Sequence, residues 1–263
     1  MNGSTFQRVE KKYLLTIEKS CELLKHLRPY IELDQYGLHT ICNIYYDTDQ
    51  FDLIRRSIEK PPYKEKLRLR SYGIPDKDDK VFLEIKKKWE GVVYKRRISL
   101  TLAEAKAYLE DQKPLGRQGQ IEQEMDYFIK FYQPRPKMYI AYDREAYFGR
   151  ENPGLRITFD RNIRSREEDL QLELGDAGKL LLDKGSRLME IKAENAMPIW
   201  LVHILSELEI YPVSFSKYGT IYKKCAEERK KLAVVDAHME SYGSSQSRRP
   251  NRYSSHLFKE VYL

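Results

Sequence analysis

Between Tyr63 and Tyr72 the chain alternates: Lys64, Lys66, Arg68 and Arg70 fall on every second position, with Glu65, Leu67 and Leu69 between them. A period of two predicts an extended strand with the four cations on one face. Neighbouring cations would stand about 6.6–7 Å apart at strand rise. Such a row repels itself unless water or an anion lies against it. The same alternation recurs along the chain. Phe6–Leu15 aligns Arg8, Glu10 and Lys12, and Val81–Lys88 aligns Glu84, Lys86 and Lys88 opposite Val81, Leu83 and Ile85. Val92–Leu100 aligns Val93, Lys95 and Arg97, and with the preceding strand reads as a hairpin. Lys137–Phe148 aligns Tyr142, Arg144 and Ala146; Leu155–Arg161 aligns Arg156, Thr158 and Asp160; Leu188–Glu194 aligns Glu190, Lys192 and Glu194. Thr40–Asp47, rich in β-branched and aromatic residues, adds a further strand. Most of these strands pair an apolar face with a face of Lys, Arg and Glu.

Helical spacing predicts helices over 18–28, 102–111, 120–132, 199–209 and 217–232, and a short helix or turn over 49–58. Thr101-Leu102-Ala103-Glu104 has the form of a capping box. Residues 161–186 carry mixed charge, with room for one or two short strands. From Asp236 onward periodicity stops, so the expected organisation is one domain over 1–235 followed by a disordered basic tail, 236–263, containing Arg248, Arg249 and Arg252. A weak internal echo runs through both halves. Ile44–Asp47, Leu67–Arg70 and Leu83–Lys86 are followed, in the same order, by Ile140–Asp143, Leu155-Arg156 and Met189–Lys192, which hints at two similar half-sheets.

Composition narrows the function classes. Apolar residues make up 41% of the 263, enough for a core, and charged residues 33%. The net charge of +7 points to an anionic partner without saying which. No apolar run approaches the roughly 20 residues of a membrane span, and Met1–Thr5 is too polar for a signal peptide. Cys21, Cys42 and Cys225 have no metal-type spacing and fit reduced thiols, so a cytoplasmic location is expected.

The charged faces leave two architectures open. A sandwich would bury the apolar faces together and turn the charges to water. A barrel could line its inside with charge and cover its outside with helices; eight strands enclose room for one narrow ligand. A lumen of Lys and Arg needs a polyanion, to which Arg offers forked contacts and Lys point charges. Carboxylates are interleaved with these cations: Glu10, Glu84 and Glu190 precede Lys12, Lys86 and Lys192 by two residues. A simple anion binder gains nothing from them, whereas Mg²⁺ is usually held by one or two carboxylates plus phosphate oxygens. The bland account pairs each Glu with a cation on a neighbouring strand.

In order along the chain stand Arg8-Val9-Glu10-Lys11-Lys12-Tyr13, Lys66-Leu67-Arg68-Leu69-Arg70, Leu83-Glu84-Ile85-Lys86, Tyr142-Asp143-Arg144, Leu188-Met189-Glu190-Ile191-Lys192 and Ser216-Lys217-Tyr218. The set resembles the VTC-type polyphosphate polymerase domain, a branch of the triphosphate tunnel metalloenzymes, over about residues 6–225. The resemblance implies an α+β fold: an antiparallel eight-stranded tunnel barrel with a charged lumen and helices packed outside. It implies ATP or inorganic triphosphate as substrate, polyphosphate as product, and Mn²⁺ or Mg²⁺ as cofactor. It implies Lys86, Arg144 and Lys217 as catalytic residues and Lys12, Arg68, Arg70, Lys95 and Arg156 as substrate-binding residues. Glu190 matches the metal-binding carboxylate, with Glu10 as a second candidate. One position departs from the pattern. Yeast members carry a second basic residue three positions before that matched by Lys217, and here that position is Ser214. The SPX module and membrane helices of the yeast complex have no expected counterpart. The alternatives are a triphosphatase using the same residues and a non-catalytic polyanion or nucleic-acid binder; no nucleic-acid partner is expected.

Overall fold

The computed structural model describes residues 8–90, 92–116 and 119–246. Arg248, Arg249 and Arg252 of the expected tail lie outside the described residues. The chain divides into two compact units, Met1–Ile221 and Tyr222–Leu263. In chain order the elements are β1 (Arg8–Leu15), α1 (Ile17–Leu27), β2 (Ile31–Leu33), β3 (His39–Asp47), α2 (Asp52–Glu59), β4 (Tyr63–Tyr72), β5 (Lys80–Trp89) and β6 (Val92–Thr101). There follow α3 (Leu102–Leu109), α4 (Gln120–Tyr132), β7 (Arg135–Gly149), β8 (Arg156–Arg166), β9 (Lys179–Leu180), β10 (Arg187–Glu194), α5 (Ile199–Glu207) and α6 (Lys217–Gln246). The capping box at Thr101 forms in both directions with Glu104. Helix α6 continues past residue 236, where the apolar periodicity ends, to Gln246. No helix among the described residues is long and apolar enough to cross a membrane.

The strands are antiparallel, and eight of them follow the path β1-β10-β8-β7-β3-β4-β5-β6, with β2 added to β7 and β9 to β8. The expected eight-stranded barrel therefore needs a correction. Among the described residues the sheet has ten strands, and its end strands β1 and β6 are not hydrogen-bonded to each other. Instead, the backbone after α5 occupies the edge of β1, where the Val213 N–H donates to the Lys12 carbonyl at 2.7 Å and Lys12 Nζ to the Phe215 carbonyl at 3.0 Å. The sheet is nonetheless strongly rolled. Lys86 on β5 reaches Glu10 on β1 at 4.0 Å, although five strands separate β1 and β5 along the hydrogen-bonded path.

Rolling sorts the two faces. Leu67, Leu69, Leu83, Ile85, Ile98 and Leu100 point outward into a core with Ala105 and Tyr108 of α3 and Met125 and Phe128 of α4. Tyr13, Ile157, Phe159, Met189 and Ile191 form a second outer core with Leu23 and Leu27 of α1 and Leu201 and Leu205 of α5. The hydrophobic effect thus holds helices against the outside of the sheet. The alternate positions, which carry the charges, are left on the concave side.

The internal echo has a structural counterpart. β4 and β5 lie on one side of the central β3–β7 pair, and β8 and β10 occupy the equivalent places on the other. Glu84-x-Lys86 and Glu190-x-Lys192 both face inward in this arrangement. The correspondence fails for the first segments. Tyr46 packs in the outer core, whereas the Tyr142 hydroxyl accepts from the inward-facing Arg70.

Candidate functional site

Register places the charged residues as rows across neighbouring strands. Lys66 lies opposite Lys86, Arg68 opposite Glu84, Glu84 opposite Arg97, and Lys86 opposite Lys95. On the other half, Lys12 lies opposite Glu190, Glu190 opposite Thr158, and Arg144 opposite Asp160.

Glu84 is 1% exposed and saturated with cations. It accepts from Arg68 Nε at 2.6 Å, Arg97 Nε at 2.7 Å and Lys95 Nζ at 2.7 Å, with Arg70 Nε at 3.8 Å. Burial would raise its pKa, but Arg68, Arg70 and Lys95 hold it well below the usual carboxylate range. Asp160, 0% exposed, plays the same part across the sheet. Arg144 donates to it through Nε at 2.6 Å and Nη2 at 2.8 Å, and Lys217 through Nζ at 2.5 Å. Burial would raise this carboxyl too, but Arg144 and Lys217 bring it to about 2. Both carboxylates act as anchors that aim arginine and lysine stems into the lumen.

A third feature gathers cations from separate elements. Lys217 Nζ lies 4.3 Å and the Arg144 guanidinium 5.1 Å from the centre of the Tyr142 ring, and Arg70 Nη2 donates to the Tyr142 hydroxyl at 3.4 Å. Arg144 also comes within 4.0 Å of Glu190. Glu190 is in turn 3.4 Å from Lys192 and within hydrogen-bonding reach of Glu10. Glu10 has Lys12 at 3.8 Å and Lys86 at 4.0 Å. Burial pushes the Glu190 carboxyl up, but Lys192, Lys12 and Lys217 outweigh it and keep the group ionised.

Of the residues expected from sequence, Arg68, Arg70 and Lys95 surround Glu84, Arg144 and Lys217 share Asp160, and Lys12, Lys86, Glu10 and Glu190 form one continuous group. Arg156 lies opposite Lys192 in register, with Asp34 at 3.8 Å and its guanidinium 5.1 Å over the Phe148 ring. Ser216 Oγ accepts from Lys66 Nζ at 3.2 Å. Asp160, Arg97 and Lys66 also belong to the site; in sequence each stands on a charged strand face, with no site role expected of it. Asp160 shares a predicted face with Arg156, but its partners lie 16 and 57 residues away.

Lys66 has no carboxylate within ion-pair distance among the described residues. Burial, with Lys86, Lys12 and Lys64 nearby, lowers its pKa to about 8, against the raising influence of Tyr45. Tyr45 is pushed up by burial, yet Arg68, Lys66 and Arg70 bring its phenol to about 8. A bound polyanion would stabilise protonated Lys66, so binding should weaken as pH rises through 8. Lys66→Arg, which does not titrate there, is expected to flatten that part of the affinity profile. A variant profile superimposable on the wild type would exclude Lys66 as its source.

The sequence matches the VTC domain model over residues 7–226. The chain belongs to the VTC domain family. No curated protein sequence matches this VTC chain significantly. Among solved structures it resembles a provisionally named adenylate cyclase from Bacillus halodurans, with 17% identity and a TM-score of 0.50, over 80% of this chain and 93% of that one. It also resembles a provisionally named adenylyl cyclase from Hippeastrum described as having a dominant triphosphatase activity, with 17% identity and a TM-score of 0.50, over 83% and 96% of the two chains. At that identity the likenesses establish the fold alone.

The fold family implies a divalent cation, and the residues of this VTC domain fit one. Two carboxylates, Glu10 and Glu190, lie together among Lys12, Lys86 and Lys192, and their oxygens are the hard ligands that a divalent ion takes. Opposite Glu190 the Thr158 hydroxyl is buried with no hydrogen-bond partner among the described residues. Among the described residues no group of three or more His, Cys, Asp and Glu gathers anywhere. An ion here would therefore rely on one or two carboxylates and on oxygens of the substrate, the usual habit of Mg²⁺.

Proposed function

We propose that this VTC domain is a metal-dependent polyphosphate polymerase, which moves the γ-phosphoryl group of ATP to the end of a polyphosphate chain. The observation that carries the reading is the convergence of Arg70, Arg144 and Lys217 on one tyrosine ring, Tyr142, inside a rolled sheet. Three cations from β4, β7 and the start of α6 meet there, and Lys86 joins them through Glu10 and Glu190. Family membership supports the same substrate class.

Phosphoryl transfer asks mainly for positioning and charge neutralisation. Arg68, Arg70, Lys86 and Lys95 hold phosphate oxygens along one wall, and Lys12, Arg144 and Lys217 along the other. Arg156, opposite Lys192 and partly exposed, meets the anion as it enters or leaves. A terminal oxygen of the acceptor chain attacks the γ-phosphorus, the bond to the β–γ bridging oxygen breaks, and ADP leaves. Arg144 and Lys217, fixed by Asp160, stand where charge builds on the transferred group. Glu190 and Glu10 would hold Mn²⁺ or Mg²⁺, which when bound withdraws charge from the phosphates. The placement of the cations inside the roll, rather than on an outer surface, disfavours a nucleic-acid binder.

A triphosphatase is the second reading, with water in place of the acceptor chain. Ser214 favours it, because one basic contact expected of a polymerase is missing. Incubation with ATP and Mn²⁺ separates the two: long chains on a gel are expected, and release of orthophosphate alone would replace the polymerase with the hydrolase.

A further inference from the structure

One end of the inner face changes character. Tyr72 follows Arg70 by one step on the same face of β4, about 7 Å further on, and Phe82 lies opposite Arg70 in register on β5. Their rings continue outward as a ladder. Centroids are 5.7 Å apart for Tyr72 and Phe82, 5.9 Å for Tyr72 and His39, and 6.2 Å for His39 and Tyr36. The Arg97 guanidinium lies 4.4 Å over Phe82. Burial pushes the Tyr72 phenol up, but Arg70 and Arg97 bring it below its ordinary range, which ties the ladder to the phosphate-facing cations. Tyr36 is nonetheless 70% and Tyr72 51% exposed. The opposite end of the same strands is quite different. There Lys64 faces Lys88 and Lys66 faces Lys86, like charges directly opposed. The bore is therefore polar along its length, aromatic at one mouth and lysine-rich at the other.

We propose that the ledge formed by Tyr36, His39, Tyr72 and Phe82 stacks the base of a nucleoside triphosphate whose phosphates run inward past Arg70 and Arg97. The inference rests on the triphosphate reading above. Exposed rings beside a basic groove are how proteins hold bases without reading their sequence, since every base offers a π-face. Inorganic triphosphate has nothing to stack. The ledge thus sets a preference for nucleotides over inorganic triphosphate, and the base orients the donor with its γ-phosphate pointing toward the lysine-rich end.

Titration of the full chain with ATP and with tripolyphosphate tests this. A Tyr36→Ala/Tyr72→Ala double variant is expected to bind ATP roughly tenfold more weakly and tripolyphosphate within twofold of the wild type. Tyr72→Phe, which keeps the ring and loses the hydroxyl, is expected to retain ATP affinity. Equal weakening for both ligands, or no change for either, would overturn the ledge and leave the triphosphate site standing. A wild-type protein that binds neither ligand would overturn the ledge together with the reading beneath it.

Discussion

Replacing Glu190 by alanine is expected to lower metal-dependent turnover by at least about 10²-fold, the scale seen when a single stabiliser of developing charge is removed. Binding of triphosphate without metal should move little or tighten. The reason is the company Glu190 keeps. Lys192 lies 3.4 Å away and Arg144 4.0 Å, and Lys12 and Lys217 also act on its carboxyl. Removing the carboxylate makes that region more cationic, which favours an anion. A residue that merely shaped the wall would lose binding and turnover together. Steady-state rates across Mn²⁺ concentrations, with a parallel titration of tripolyphosphate in chelator, separate these outcomes. Unchanged turnover would remove Glu190 from the metal assignment.

Glu84→Gln is expected to act on the fold. Glu84 is buried and paired with Arg68, Arg97 and Lys95. Loss of one partner of a buried ion pair costs about 3–5 kcal/mol because the remaining charges are left uncompensated. Arg97 and Lys95 keep some solvent, so the lower end of that range applies, about 3 kcal/mol. For a domain of this size that corresponds to a fall in Tm of roughly 6–12 °C. Tripolyphosphate should recover part of the loss by pairing with the freed cations. The same ion pairs set a pH dependence. The folded pKa lies below the ordinary 4.5, so this stabilisation is complete above that value and drains away as pH falls beneath it. Melting curves of both proteins from pH 7 to pH 3 check this: the gap between them should narrow on acidification. A gap of unchanged size would contradict the pairing as its origin.

Much of the fold was legible because most strands carry a clean period of two. β4 was expected over residues 63–72 and observed as Tyr63–Tyr72. β2, Ile31–Leu33, was missed because three residues are too few to display a period; it exists by pairing with the end of β7. β9, two residues long, sits in the stretch 161–186, where room for short strands was expected. Alternation alone could not choose between sandwich and roll, since both bury every second residue. That choice came from the ordered motifs. The site was less legible for a related reason. Glu84 and Glu190 look alike in sequence, each two residues before a lysine. Register separates them: β6 brings Arg97 and Lys95 against Glu84, whereas β1 brings Lys12 and the second carboxylate, Glu10, against Glu190. Glu84 is consumed as an anchor, and Glu190 is left beside another acid. The role of Asp160, visible in sequence only as a position on a strand face, lies in Arg144 and Lys217, which the chain brings to it only on folding.

On this reading the inward cations act together as one polyanion site. Lys86 offers the most direct test, because its nearest carboxylate, Glu10, is 4.0 Å away and half of its side chain is exposed. Its removal should spare the fold and cost a charge-assisted contact of about 1.5–3 kcal/mol. Calorimetric titration with tripolyphosphate is the measurement. One-to-one binding by the wild type, weakened roughly 10- to 150-fold in Lys86→Ala at unchanged Tm, is the predicted result. Equal affinity in the two proteins would contradict it.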